Sequence, residues 1–207
     1  MKETKIHAFH DVQEGMGEAR QHPWQGSLHD PNAKFVDFLK RPDLVRSSLE
    51  DFIPYASQPA IDRFFSLVEW MNGPDTVWET TESYLWPAAA PHSNRFFANY
   101  PIICSARLVF FNRNHLWQCR QAEWAFGQLL NGLQHREPVH PNACVGVFTM
   151  PTLFLSLSND GGKSAPECKA IGVRCYGFGT SESQAFGGVG LGVDAVREVA
   201  EGIAKMM

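Results

Sequence analysis

Five cysteines and eight histidines are the residues of this chain best suited to covalent or metal chemistry. Cys104 or Cys144 as a nucleophile, with His115 or His140 as its base, needs an electropositive niche that keeps the thiolate charged. Arg107, Arg113 and Arg120 stand near enough in sequence to supply one. An enzymatic reading therefore selects Cys104, His115, His140 and Arg107 as the catalytic set. Against it, a cysteine inside an apolar strand is usually a small buried hydrophobe.

Zinc takes three or four cysteine, histidine or carboxylate ligands at short range. His135, His140 and Cys144 fall in one loop and its exit, but their spacing matches no established pattern, and Pro138 and Pro141 flank His140. No metal and no cofactor is expected from this, and the N-terminal histidines (His7, His10, His22, His29) are expected to be solvated. Gly161-Gly162-Lys163-Ser164 looks like the tail of a phosphate-binding loop. The required earlier glycine is Leu157, and Pro166 follows where a helix should. Gly187 to Gly192 opens onto a helix and reads either as an anion site or as close packing of helix on sheet; no second strand follows to complete a dinucleotide unit.

The most distinctive stretch is 64–94. Between Arg63 and Arg95 there is no lysine or arginine, while Glu69, Asp75, Glu79 and Glu82 alternate with Trp70, Trp78, Tyr84 and Trp86. An extended 76–86 segment places Trp78, Thr80, Glu82, Tyr84 and Trp86 on one face. Aromatic anchors beside acids suit a basic protein partner. Glu69, Asp75, Trp78, Glu79, Glu82, Tyr84 and Trp86 are the partner-binding candidates; the plainer reading puts the tryptophans in the core.

These residues must be positioned by a fold whose centre is 102–157. An apolar run (102–111) is followed by helical spacing over His115 to Leu133, where Leu116, Cys119, Phe126, Leu130 and Leu133 form a stripe widened by Ala122, Ala125 and Leu129. A second apolar run (144–157) is interrupted by Pro151, and alternating Ile171, Val173 and Cys175 follow, giving a hairpin. Three short helices are expected before this, starting at Asp30-Pro31, after Pro42, and at Pro59 with a stop at Asn72-Gly73-Pro74. Ser181 with Gln184 fits a capping box for a last helix, firm from Val193 onwards. The fold class is α+β: a mostly antiparallel sheet of four to five strands covered by N-terminal, central and C-terminal helices. Residues 1–30 read as a surface arm, with Thr4 to Phe9 suited to a short strand. Residues 31–207 read as one domain, with a helical layer at 31–73 and the sheet and remaining helices at 76–207.

Composition sets the outer bounds. An apolar fraction of 44% with 19% charged residues describes a globular chain, not a disordered one. The net charge of −4 disfavours nucleic acid and anionic membrane as direct partners. Residues 1–100 carry nine Lys+Arg against fourteen Asp+Glu, and residues 101–207 nine against eight, so the acidity lies in the first half. An odd number of cysteines at apolar positions suggests free thiols in a reducing compartment, hence the cytoplasm. The N-terminus lacks the apolar stretch of a signal peptide, and no run is long enough for a membrane span. The expected function is a cytoplasmic interaction domain that binds a basic protein through the acidic aromatic surface, such as a toxin-neutralising (immunity-type) protein. The alternatives are a small enzyme or ligand-binding protein with a Cys/His/Arg pocket between sheet and helices, and a subunit of a homo-oligomer.

Overall fold

A computed structural model describes residues 5–11, 19–23, 36–50, 58–89, 100–135, 139–158 and 165–207. In chain order these form β1 (Lys5–His10), β2 (Arg20–His22), α1 (Leu44–Glu50), α2 (Pro59–Asn72), β3 (Trp78–Ala89), β4 (Ile102–Asn112), α3 (His115–Gln134), β5 (Val139–Phe154), β6 (Glu167–Gly179) and α4 (Glu182–Ala204). One mixed six-stranded sheet runs in the order β1-β5-β6-β4-β3, with β2 also pairing β5. β3, β4, β6 and β5 are antiparallel neighbours, whereas β1 and β2 lie parallel to β5. The α+β class holds, but the sheet has six strands, because two short stretches of the expected arm join its edge. β1 ends opposite Val147 and β2 begins opposite Thr152, so Pro151 falls in the interval between them, where a missing amide costs no ladder bond on that edge.

One face of the sheet carries the helices. Leu108, Phe110, Val145, Val147, Ile171 and Val173 point to this side and pack with Phe64, Val68, Leu129, Val189 and Val193 in a single apolar core. α2 starts at Pro59 and stops before Gly73, as the sequence indicates. By contrast, 36–43 is turn and loop, not the expected first helix, whose start lies outside the described residues, as does the 161–164 glycine loop. α4 is helical from Glu182, with Ser181 Oγ accepting from the Gln184 amide at 3.3 Å. Gly188, Gly190 and Gly192 belong to its packing face, whereas Gly187 and Gly202 are open: a Cβ on Gly188 would meet the Asn142 carbonyl oxygen at 2.0 Å, and one on Gly177 of β6 the Ala185 carbonyl oxygen at 1.8 Å. Side chains there would push helix and sheet apart, which outweighs the glycines' weak helix propensity.

In α3 the buried line is Gln118, Ala122, Ala125, Leu129 and Leu133, while Leu116 is 56% exposed. The expected stripe is rotated because Gln118 ties two strand ends together. Its Oε1 accepts from the Asn112 amide at 2.8 Å and its Nε2 donates to the Lys169 carbonyl at 2.6 Å. One residue further on, Cys119 is bonded to Cys168 at the start of β6. This disulfide corrects the expectation of free thiols throughout and removes the cysteine argument for a reducing compartment; Cys104, Cys144 and Cys175 are free and buried. No helix among the described residues is long and apolar enough to cross a membrane.

Among the described residues no helix covers the other face, yet Val109, Phe111, Phe148, Met150 and Phe154 are fully buried there. Curling of the sheet encloses them. β2 and β3 belong to opposite edges, but Arg20 Nη1 reaches Glu82 Oε2 at 2.8 Å and His22 Nε2 reaches Glu79 Oε1 at 3.0 Å. The edges therefore meet over this face, and bulges in β3 at Thr80–Glu82 and Trp86–Ala89 supply the local bending. The first bulge is held by buried Asn72, whose Oδ1 accepts from the Thr80 amide at 3.1 Å and whose Nδ2 donates to Thr80 Oγ1 at 2.8 Å.

The bulge also changes which side chains share a face. Trp78 and Thr80 point to the helices, whereas Glu82, Tyr84 and Trp86 lie opposite Val109, Arg107 and Ser105 on the other side. Trp78 is 1% exposed, stands edge-on to Phe110 and donates from Nε1 to the Ala200 carbonyl at 3.1 Å. The single face expected for 78–86 is therefore split, and Trp78 is core.

Candidate metal centre

The seam between the curled edges gathers three potential ligands from three elements. His22 ends β2, where it pairs Phe154 of β5; Glu79 lies on β3 just before the bulge; His115 opens α3 directly after the Asn114 cap. Their ligating atoms all lie within 4.8 Å of one another. Ligands of a tetrahedral zinc ion stand about 3.3 Å apart, so no atom needs to move more than about 1.5 Å. Phe111 and Phe154 form the walls: His115 stacks on Phe154 at 4.3 Å, and His22 stands edge-on to Phe111 at 4.6 Å.

Hydroxyl groups orient both rings. His22 Nδ1 is 3.3 Å from Thr81 Oγ1, and His115 Nδ1 is 2.5 Å from Ser156 Oγ. Each Nδ1 therefore lies against a hydroxyl, the arrangement that outer partners give metal-bound histidines, and a proton held there would leave Nε2 of each ring to act as ligand. His22 Nε2 contacts Glu79, but His115 Nε2 is closed off from solvent and has no hydrogen-bond partner. Burial pushes the His115 imidazole below its ordinary value, opposed by the charge of Glu79 and reinforced by His22. It is therefore neutral at pH 7, the form that binds a cation. Two imidazoles and a carboxylate suit zinc or another first-row divalent ion, and three protein ligands leave a position for water or substrate.

A small pocket adjoins the centre, lined by Arg20, Gln21, Thr81, Glu82, Met150 and Thr152. It connects Thr81, beside His22, to Glu82, which lies 3.8 Å from Arg107.

The catalytic residues expected from sequence are not brought together. Cys104 lies in the helix-side core and Arg107 projects to the opposite face. His115 sits eight strand positions or more beyond Cys104, roughly 26 Å along β4. His140 is at the far end of β5 from Phe154, accepting from the Asn142 amide at 3.2 Å. Burial pushes the thiols of Cys104 and Cys144 up to about 12, so both are protonated at neutral pH and poor nucleophiles. Of the partner-binding set, Glu69 pairs with Arg46 on the helical side, Asp75 is exposed in the turn before β3, and Glu79 and Glu82 are engaged at the seam. Tyr84 and Trp86 pack edge to face at 4.2 Å, with Trp86 39% exposed.

His22, expected to be solvated, is only 5% exposed. Sequence reasoning missed it, together with Thr81 and Ser156, because no local spacing links positions that only sheet curling unites. In comparisons with known proteins, no family model, no curated protein and no solved structure matches the chain.

Proposed function

We propose that the protein is a divalent-metal enzyme of hydrolytic type, with His22, Glu79 and His115 as the metal ligands. His115 Nε2 carries this reading. A buried polar atom without a partner costs about 1–3 kcal/mol, and coordination of an ion removes that cost. Thr81 and Ser156 fix the rings, Phe111 and Phe154 keep the centre dry, and the open coordination position would hold a water made acidic by the ion. The neighbouring pocket is where a substrate group would meet that water.

Calorimetric titration of chelator-treated protein with Zn²⁺ tests the proposal, alongside elemental analysis of the protein after dialysis. One equivalent is expected to bind, with affinity lost in Glu79→Gln. Absence of stoichiometric binding, or equal binding in the variant, would refute it.

Exposed Trp86 with Tyr84 against it supports a second reading, the docking surface for a basic protein. Its acids Glu69, Glu79 and Glu82 already have cationic or histidine partners, so an incoming base would have to compete for them. Salt-sensitive binding of a basic protein that weakens on neutralising Glu82 would support this reading; indifference to both would count against it.

A further inference from the structure

We infer that the helix-free face holds a second subsite, for a small organic carboxylate with an apolar or aromatic body, built on the guanidinium groups of Arg107 and Arg174. This goes beyond the metal centre and does not depend on an ion being bound there.

Arg107 of β4 and Arg174 of β6 are direct cross-strand partners on this face. Like charges placed directly opposite destabilise a sheet, and burial makes the repulsion worse. Arg107 is nevertheless only 5% exposed. Its hydrogen bonds go to the Tyr84 hydroxyl at 3.2 Å and, weakly, to Met150 Sδ at 4.0 Å. Its nearest carboxylate, Glu82, stands 3.8 Å away and is held closer by Arg20, at 2.8 Å. Arg174 donates to the Tyr176 hydroxyl at 3.2 Å, and no described carboxylate lies within ion-pair distance of it. The Nε groups of both arginines are buried and unpartnered. Besides Glu79 and Glu82, Asp11 lies on this side, over Gly146, the cross-strand neighbour of Arg174 on β5: a Cβ built there would be 3.2 Å from its Oδ2.

Aromatic rings fix both cations. Arg107 lies over Phe148 at 4.9 Å and Tyr84 at 5.8 Å; Arg174 lies over Trp86 at 5.3 Å and Tyr176 at 5.9 Å. Stacking holds the guanidinium faces and leaves the Nε–H of each without an acceptor, a donor of the kind arginine offers a planar carboxylate. A single carboxylate between the two would neutralise the repulsion and supply the missing acceptors. Arg174 is half-buried and Trp86 exposed, so a ligand approaches from their side, while Arg107 is buried beside them. Trp86 offers the ring surface against which the ligand's apolar body packs.

Benzoate is the probe, with benzyl alcohol as its neutral counterpart and inorganic phosphate as the rival anion. Each is titrated into the chelator-treated protein by calorimetry, with Trp86 emission read as the difference from Trp86→Phe. Saturable 1:1 binding of benzoate is expected. It should weaken at least tenfold in Arg174→Met, with no comparable binding of benzyl alcohol or phosphate. Arg174 is the deciding position, since it is half-exposed and its removal leaves the interior packed; near-UV circular dichroism checks that the variant is folded. Four results would each overturn the inference: no saturable benzoate binding, equal binding of the alcohol, tighter binding of phosphate, or benzoate affinity unchanged in folded Arg174→Met. Because no metal is present, none of these bears on the zinc titration, and a failed zinc titration leaves this result standing.

Discussion

The two faces of the sheet are built on opposite principles. Towards the helices, strand residues such as Leu108, Phe110 and Val173 meet apolar helix residues, and glycines let α4 settle directly on the strands. Away from them, the same strands offer Arg107, Arg174 and Glu79 to an interior that also holds Phe111, Phe148 and Phe154. The first face gains free energy by removing hydrocarbon from water. The second spends part of that gain on buried charge and imidazole that the chain does not fully satisfy. A fold kept only for stability would have apolar side chains at those positions, which is why the proposed metal centre and carboxylate subsite are both placed on the helix-free face.

Several substitutions separate the faces. The largest effect is expected from Phe110→Ala on the helix side, about 3–5 kcal/mol of stability from lost burial and a cavity. Denaturant unfolding measures it, and Zn²⁺ affinity of the folded fraction should not change. Replacing both Cys119 and Cys168 by serine should cost about 2–4 kcal/mol, since that bond closes a long loop. Cys119 lies one helical turn beyond His115 and Cys168 in the apolar cluster of the helix-free face, so this bond anchors the start of α3 beside the seam, and Zn²⁺ affinity should fall along with stability. A pair that lowered neither would break the link drawn between α3 and the seam.

Ser156→Ala should leave stability within about 1 kcal/mol but weaken Zn²⁺ binding about 10–100-fold, because His115 loses the hydroxyl that orients it. Unchanged affinity would show that the ring is held by Phe154 stacking only.

The smallest effect is on pH dependence. The folded-state pKa of His115 is depressed below its ordinary value of 6.5, so the unfolded chain takes up a proton first as pH falls. The groups facing it are His22, which disfavours its protonation, Glu79, which favours it, and the neutral Ser156, Phe111 and Phe154. The contribution of His115 to stability is complete above about 6.5 and declines as pH drops from there towards the depressed value. Urea midpoints of metal-free protein at pH 7.5 and 5.5 should show this decline, and it should shrink in His115→Gln. A larger decline in His115→Gln would reverse the assignment.

Local chemistry made much of the helix side legible. Pro59 and Gly73 bracket α2, Asn114 and Ser181 cap α3 and α4, and alternation marks β6; each signal acts within a few residues. The helix-free face was not legible in the same way. One bulge at Thr80–Glu82, stabilised by Asn72 from the preceding helix, reverses the parity on which the docking face depended. β2 is only three residues long, and its strand character comes from pairing with β5, not from its own composition. The disulfide and the three candidate ligands unite positions that no short window contains, so curling of the sheet had to be known first.

Co²⁺ titration of chelator-treated protein, followed by visible absorption, tests the central claim most directly. Intense ligand-field bands of a four- or five-coordinate ion should grow to an end point at one equivalent and be lost in His115→Ala. Only the weak spectrum of hydrated Co²⁺, or bands that survive in His115→Ala, would contradict a metal centre at the seam.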